Sequence, residues 1–466
     1  MSNYVYGPTF AEMRDPSLLP QELREKALAA LHGAPLDPIN LFNITWKTAQ
    51  DTVRHLVLPQ ALTGVRAPIA VLVGNGYPSG SHKVGPVYSC LIEKQLNGLI
   101  QPEKHVPIFP STGNFGIGGA WGGPRMGYKS LVVLPEEMSR ERFEKIRAFG
   151  ADVIATPGCE SNVKEIYDKV NELKQDPTYC SINQFEEFGN YRFHYGVTGE
   201  AAVELATWLA EERGIGSGRI GAFVSAMGSA GTIAAADRIK QSHPGAATVG
   251  LEPIQCPTLY NVGFGGHRIE GIGDKHVTWI HNVHAMDYMM CIDDQACLEG
   301  LSLIQEGTAV LAEEAGVPEA DLECMQGTFG VSGVCNVLGA IKTAKVLDLG
   351  PDDLIVTVAT DGFDRYPSVL EKLAEETGPP TRERSLRRLE IFHRATSDWV
   401  QEGTREVRTR WHNQKYFTWV EQQGKHVDEL RALADPDTWV AHQKQIQDVD
   451  AKLVASRGDL AQLVTS

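Results

Sequence analysis

The sequence predicts an α/β fold of open, twisted, mostly parallel sheets with a helical appendage at its C-terminal end. Three observations carry this. Short apolar runs alternate with longer amphipathic segments between residues 67 and 359, and such alternation with short loops builds parallel sheets covered on both faces. Glycine-rich runs stand where these strands give way to helices. From Thr381 the texture changes to Arg, Glu, Gln, His and Trp, nearly free of strand-like runs.

Residues 1–40 contain prolines and one amphipathic segment, Pro20 to His32, and read as an arm packed on the surface. Ala67 to Val73 is a strand, and a helical pattern runs from Lys83 through Ile100. Val106 to Phe109 is a short strand, and Ile117 opens a helix behind a glycine loop. Ser130 to Leu134 is a strand; Ser139 to Gly150 is a helix with Ser139 as N-cap. Ala151 to Ala155 and Ser161 to Lys174 repeat the strand and helix. Gly199 to Arg213 is a helix, Arg219 to Ser225 a strand, Ile233 to Gln241 a helix and Ala247 to Leu251 a strand. One or two helices fill Asp294 to Gly316, another spans Gly333 to Asp348, and Asp353 to Ala359 is a strand. Glu383 to Gln401 and Val440 to Ala455 read as amphipathic helices. The appendage, 375–466, suits packing or oligomer contact, with a lid as the alternative.

The 466 residues carry 43 Lys and Arg against 59 Asp and Glu, a formal net charge of −16. So acidic a chain is a poor partner for nucleic acid or anionic membrane. It shows neither a span-length apolar stretch nor a secretory leader pattern at its start, so a cytoplasmic location is expected. None of the eight cysteines forms a C-x-x-C pair. Reduced, buried thiols and no metal are therefore expected.

Three runs carry the chemistry. Gly228-Ser229-Ala230-Gly231-Thr232 leaves a strand and opens a helix; converging backbone N–H groups and a helix N-terminus suit a phosphate. It lacks a Walker lysine, so it is not a nucleoside-triphosphate loop. The one G-x-G-x-x-G formula, Gly216 to Gly221, follows a helix and precedes a strand. That is the reverse of a dinucleotide fingerprint, so it reads as a helix stop and turn. Ser111-Thr112-Gly113-Asn114 follows a strand and suits a carboxylate; Asn114 is also able to donate to a ring hydroxyl oxygen. In Pro78-Ser79-Gly80-Ser81-His82-Lys83, small residues leave room for a ligand ring. Burial there would lower the pKa of the Lys83 amine and favour a neutral nucleophile.

With these runs in this order, the chain resembles the fold-type II pyridoxal-phosphate enzymes, the superfamily of cysteine synthase, cystathionine β-synthase and the tryptophan synthase β-subunit. The likeness runs from about residue 65 to 370. It includes Pro135 to Arg142, Asn183-Gln184-Phe185-Glu186, Glu252-Pro253 and Glu270-Gly271-Ile272-Gly273. The resemblance implies pyridoxal 5'-phosphate as cofactor, held as a Schiff base by Lys83, which is also the catalytic base. Gly228, Ser229, Ala230, Gly231 and Thr232 would take its phosphate, with His82 nearby and Asn114 on the ring. Thr360 or Ser332 would face the pyridine nitrogen. Ser111, Thr112, Gly113, Phe115 and Gln184 would bind the substrate, Phe115 standing where cysteine synthases usually have Thr.

The same resemblance implies a large cofactor domain of residues 41–74 and 191–374 and a small mobile domain of residues 75–190. The implied reaction is β-replacement or β-elimination through an aminoacrylate on a serine- or cysteine-derived amino acid. A small thiol or another nucleophile would be the second substrate, and the protein a homodimer. A serine/threonine-type ammonia-lyase is the alternative enzyme. A catalytically silent regulatory subunit on the same fold is the alternative from another class.

Overall fold

Two sheets organise the chain in the computed structural model, which describes residues 6–111, 113–158, 163–458 and 460. Thr112, Cys159 and Ser161 lie outside the described residues. In chain order the strands are β1 (His55–Val57), β2 (Ile69–Val73), β3 (Val106–Pro110), β4 (Leu131–Pro135), β5 (Asp152–Thr156) and β6 (Tyr179–Ser181). Then follow β7 (Arg219–Ala226), β8 (Ala247–Pro253), β9 (Tyr288–Ile292), β10 (Asp353–Ala359) and β11 (Val400–Glu402). The larger sheet has the order β1-β2-β10-β7-β8-β9-β11, and the smaller β5-β4-β3-β6. The smaller sheet is parallel throughout. In the larger, only the edge pairs β1–β2 and β9–β11 are antiparallel.

Period-two alternation explains why the central strands are apolar throughout. Leu354, Val356 and Val358 of β10 enter one core, while Ile355 and Ala359 enter the other. Ala70 and Leu72 of β2 likewise oppose Ile69 and Val71. A strand covered on both faces has no polar side to show.

Several expectations need correction. The helix after β3 is Asn114–Arg125, three residues earlier than Ile117, so its N-terminus abuts the Ser111 run. Ser139 occupies the N-cap position of Arg140–Ala148 but makes no capping bond; its hydroxyl lies 3.4 Å from Glu270 Oε2 instead. The helix expected over Glu383 to Gln401 is Arg382–His393, and the chain then adds β11 to the larger sheet. The appendage is therefore not purely helical. The G-x-G-x-x-G segment is the expected stop: Gly214 ends the preceding helix at φ 62°, and Gly216 and Gly218 turn at φ 69° and 81° into β7.

The N-terminal arm is tied to the last helix, Pro436–Arg457. Arg457 clasps the Glu12 carboxylate with two bonds of 2.6 Å. The seven described cysteines are unpaired, and Cys324 is exposed rather than buried. No helix among the described residues is long and apolar enough to cross a membrane.

Candidate active site

Four strand ends meet at one place. The carboxyl ends of β3, β6, β7 and β10 lead to Ser111, Gln184, Gly228 and Thr360, and open α/β sheets bind ligands outside such ends. These residues line a cavity together with Lys83, Gly113, Asn114, Phe115, Ala230, Gly231, Thr232 and Ser332. Twelve of the residues singled out by sequence thus surround a single hollow. Ser229 and His82 stand beside it.

Lys83 precedes the helix Val84–Leu96, and the run that carries it is fixed from two sides. Ser81 Oγ and His82 Nδ1 approach the Thr360 carbonyl at 2.8 and 3.2 Å. From outside, the buried Arg365 guanidinium donates to the carbonyls of Gly80 and Ser79, both at 2.8 Å. Lys83 Nζ lies 3.4 Å from Ser229 Oγ. Burial pushes its amine down to about 8, against a raising influence from the Asp274 carboxylate. The Asp274 carboxyl is in turn pushed up to about 7 by burial, opposed by Lys83.

The Gly228–Thr232 run forms a concave backbone. Ala230 has φ 57°, a left-handed conformation that non-glycine residues seldom adopt and that curls successive N–H groups toward one point. A Cβ on Gly228 would stand 2.8 Å from the Gly271 carbonyl, and one on Gly231 2.1 Å from Asn190 Oδ1. Both positions therefore require glycine because other chain lies against them. Asn190 Nδ2 donates to Ser229 Oγ at 3.0 Å and to the Gln184 carbonyl at 2.9 Å.

His82 sits one layer behind, its Nε2 3.3 Å from Thr232 Oγ1. It stacks on Trp46 at 5.7 Å and meets His194 edge-on at 5.1 Å. Burial and, secondarily, the Lys83 charge push its imidazole down to about 3. It is a neutral ring holding the threonine, not a cation.

On the opposite wall, Asn114 Nδ2 donates to Asp361 Oδ2 at 2.7 Å, so that bond of its amide goes to protein rather than to a ligand ring. Tyr366 Oη donates to the same oxygen at 2.7 Å and accepts from Arg142 at 2.9 Å. Arg142, fully buried, also pairs with Glu270. Its guanidinium lies 2.5 Å from where a Cβ on Gly113 would be. Ser332 Oγ and Thr360 Oγ1 are 3.0 Å apart and share the floor of the cavity.

Sequence reading missed Asn190, Arg142, Asp274, Asp361 and Arg365. Arg142 ends the Pro135 to Arg142 segment, Asn190 follows Asn183-Gln184-Phe185-Glu186 and Asp361 follows Thr360, but nothing local tells a buried bridging side chain from a surface one.

These residues fit pyridoxal phosphate. A cradle closed to any Cβ, a nest at Ala230 and a lysine held below its ordinary pKa match an anion and an aldehyde on one ring.

A family model described as pyridoxal-phosphate dependent enzyme matches residues 64–361. A probable cysteine synthase of Bacillus subtilis (strain 168) is 32% identical over 293 residues, covering 62% of this chain and 85% of the relative. A cysteine synthase of Staphylococcus aureus (strain Mu50 / ATCC 700699) is 27% identical over 292 residues, 62% of this chain and 84% of that one. Among solved structures, a hydrogen sulfide-producing enzyme from Fusobacterium nucleatum superposes with TM-score 0.57 at 25% identity, over 67% of this chain and 95% of the other. An O-acetylserine dependent cystathionine beta-synthase from Helicobacter pylori does so with TM-score 0.55 at 26% identity, over 67% and 94%.

Proposed function

This chain belongs to the pyridoxal-phosphate dependent enzyme family, and from that premise we propose that it catalyses β-replacement on a serine- or cysteine-derived amino acid. The observation that carries the reading is the Lys83 amine beside Ser229, with Ser111, Gly113 and Asn114 lining the same cavity. When bound, pyridoxal phosphate condenses with amines and draws electrons from the carbon beside the nitrogen.

The chain's own groups do the rest. Backbone N–H groups of residues 228–232 hold the phosphate, with Thr232 steadied by His82. Lys83 Nζ would supply the amine that retains the aldehyde and, once a substrate amine had displaced it, would be free to take the proton from the substrate Cα. Ser111, Gly113 and Gln184 receive the substrate carboxylate. Ser332 and Thr360 offer only neutral hydroxyls to the pyridine nitrogen. Asp361, the nearest carboxylate in sequence, is engaged by Asn114 and Tyr366. A neutral partner restrains the electron sink and favours departure of a Cβ substituent over transamination. We assign residues 75–190 as the domain that closes over the cavity and excludes water.

Product analysis tests this. The reconstituted protein is incubated with serine, O-acetylserine or cysteine, with and without sulfide or a small thiol. Replacement yields a new β-substituted amino acid. Only 2-oxo acid and ammonia under every condition would favour the ammonia-lyase, and no turnover by fully loaded protein the regulatory subunit.

Phe115 is buried against Phe109, edge-on at 6.1 Å, and closes the substrate side of the cavity. Phe115→Thr is expected to change the ratio of kcat/KM between small and large amino acids by about tenfold or more. Cofactor loading should hold. Unchanged preference would remove Phe115 from substrate selection.

A further inference from the structure

The segment from Arg405 to Gln422 lies beyond the family match, yet it reaches inward to the site. It comprises the helix Arg405–Asn413 and the wide turn Phe417–Gln422. Lys415, between them, is fully buried. Its Nζ donates to the carbonyls of Trp279 at 3.1 Å and His281 at 2.7 Å. Trp419 Nε1 donates to the Val277 carbonyl at 2.8 Å. Burying an ammonium is costly, and here it pushes the Lys415 amine down to about 7. Packing alone would be served by an apolar side chain.

The carbonyls so held belong to a stretch that touches the site at two points. Thr278 Oγ1 donates to the Ser229 carbonyl at 2.9 Å, in the middle of the phosphate run. Trp279 N and Ile280 N both donate to the Phe185 carbonyl, at 2.9 and 3.3 Å, and Phe185 follows Gln184. Residues 277–281 therefore tie the phosphate run to the substrate-carboxylate residue, and the appendage grips the tie from outside. A compact three-donor head on a flexible stem suits two carbonyls two residues apart.

We propose that Lys415 is a positioning residue: through residues 277–281 it sets the Ser229 run for the cofactor phosphate. This rests on the site reading given above. The appendage then has a role in cofactor retention that the family core lacks.

The test compares two probes on the full chain. Pyridoxal phosphate and pyridoxal differ only in the phosphate, and equilibrium binding of each is measured for wild type and Lys415→Met. Methionine is flexible and fills the space without donating. The Kd for pyridoxal phosphate should rise about tenfold, the worth of roughly one or two hydrogen bonds. The Kd for pyridoxal should move less than about twofold, because no phosphate reports the loop. Phe417→Ala, at a side chain 72% exposed in the same segment, should leave both unchanged. Equal losses for both probes, or no loss, would overturn the proposal. Wild type that does not prefer the phosphorylated probe would overturn the phosphate-site reading instead. Should Lys415→Met not fold, Thr278→Val carries the same test, since it cuts the tie at Ser229 while keeping the side-chain shape.

Discussion

Lys83→Ala is expected to lower turnover by roughly 10²–10⁴-fold or more, the usual worth of a positioned acid–base group, and to abolish covalent retention of pyridoxal phosphate. The loss comes from chemistry rather than folding. Among the described residues, Lys83 Nζ has one long hydrogen-bond contact, 3.4 Å to Ser229 Oγ, and the backbone around it is held by Ser81, His82 and Arg365. Alanine should leave that scaffold in place, so thermal unfolding should change little. The absorbance near ~410–430 nm that a lysine-bound form of this cofactor gives should vanish. Borohydride treatment should fix no cofactor to the variant, while in wild type it should label the peptide containing residue 83. Wild-type turnover in Lys83→Ala would refute the assignment outright.

The pH dependence of that amine has a defined sign. Burial lowers the Lys83 pKa to about 8, and Asp274 holds it up against burial. Capture of an aldehyde by the cofactor-free protein needs the neutral amine, so its rate should climb as pH rises through about 8. Asp274→Asn removes the influence that raises the pKa, so the climb should begin at lower pH. A midpoint that stays or moves upward would show that the two groups do not sense one another.

What the sequence made legible was what is local. The Lys83, Ser111 and Gly228 runs are each contiguous and each follow a strand, so order and spacing exposed them. What it hid is held together across long separations. Asn114 and Asp361 are 247 positions apart, and the 2.7 Å bond between them takes one of the two N–H donors of that amide, a partner its own run does not show. Ser139 has an N-cap's composition, yet its hydroxyl faces Glu270, 131 positions away. Four strands escaped notice: β1, β6 and β11 are three-residue pieces at sheet edges, too short to show a period, and β9 is a five-residue apolar run that periodicity alone does not tell from a piece of buried helix. The appendage reads as a surface addition, and only contacts such as Lys415 with the 279 and 281 carbonyls give it a bearing on the site.

Arg142→Met is expected to destabilise the protein by about 3–5 kcal/mol at neutral pH, the cost of breaking a buried ion pair by removing one partner. The Arg142 side chain is fully buried, and that of Glu270 is 14% exposed. Burial already raises the Glu270 pKa, and Arg142 is the leading influence against it. Without the guanidinium that pKa rises further, so the folded variant binds a proton the unfolded chain releases. Stability then falls as pH rises through the window above the unfolded carboxyl value and is recovered on acidification. The deficit against wild type should therefore be largest at neutral pH and shrink toward pH ~4.5. Glu270→Gln added to Arg142→Met should restore part of it, because the orphaned charge is gone. Tyr366 would also lose its donor, and with it the chain of bonds through Asp361 to Asn114. The Ser111–Asn114 run should loosen, so KM for the amino acid should rise even in folded molecules. Denaturant titrations of the single and double variants at several pH values decide the matter: a deficit that does not vary with pH, and that Glu270→Gln does not relieve, would mean that packing around Tyr366 rather than charge holds the two sheets together here.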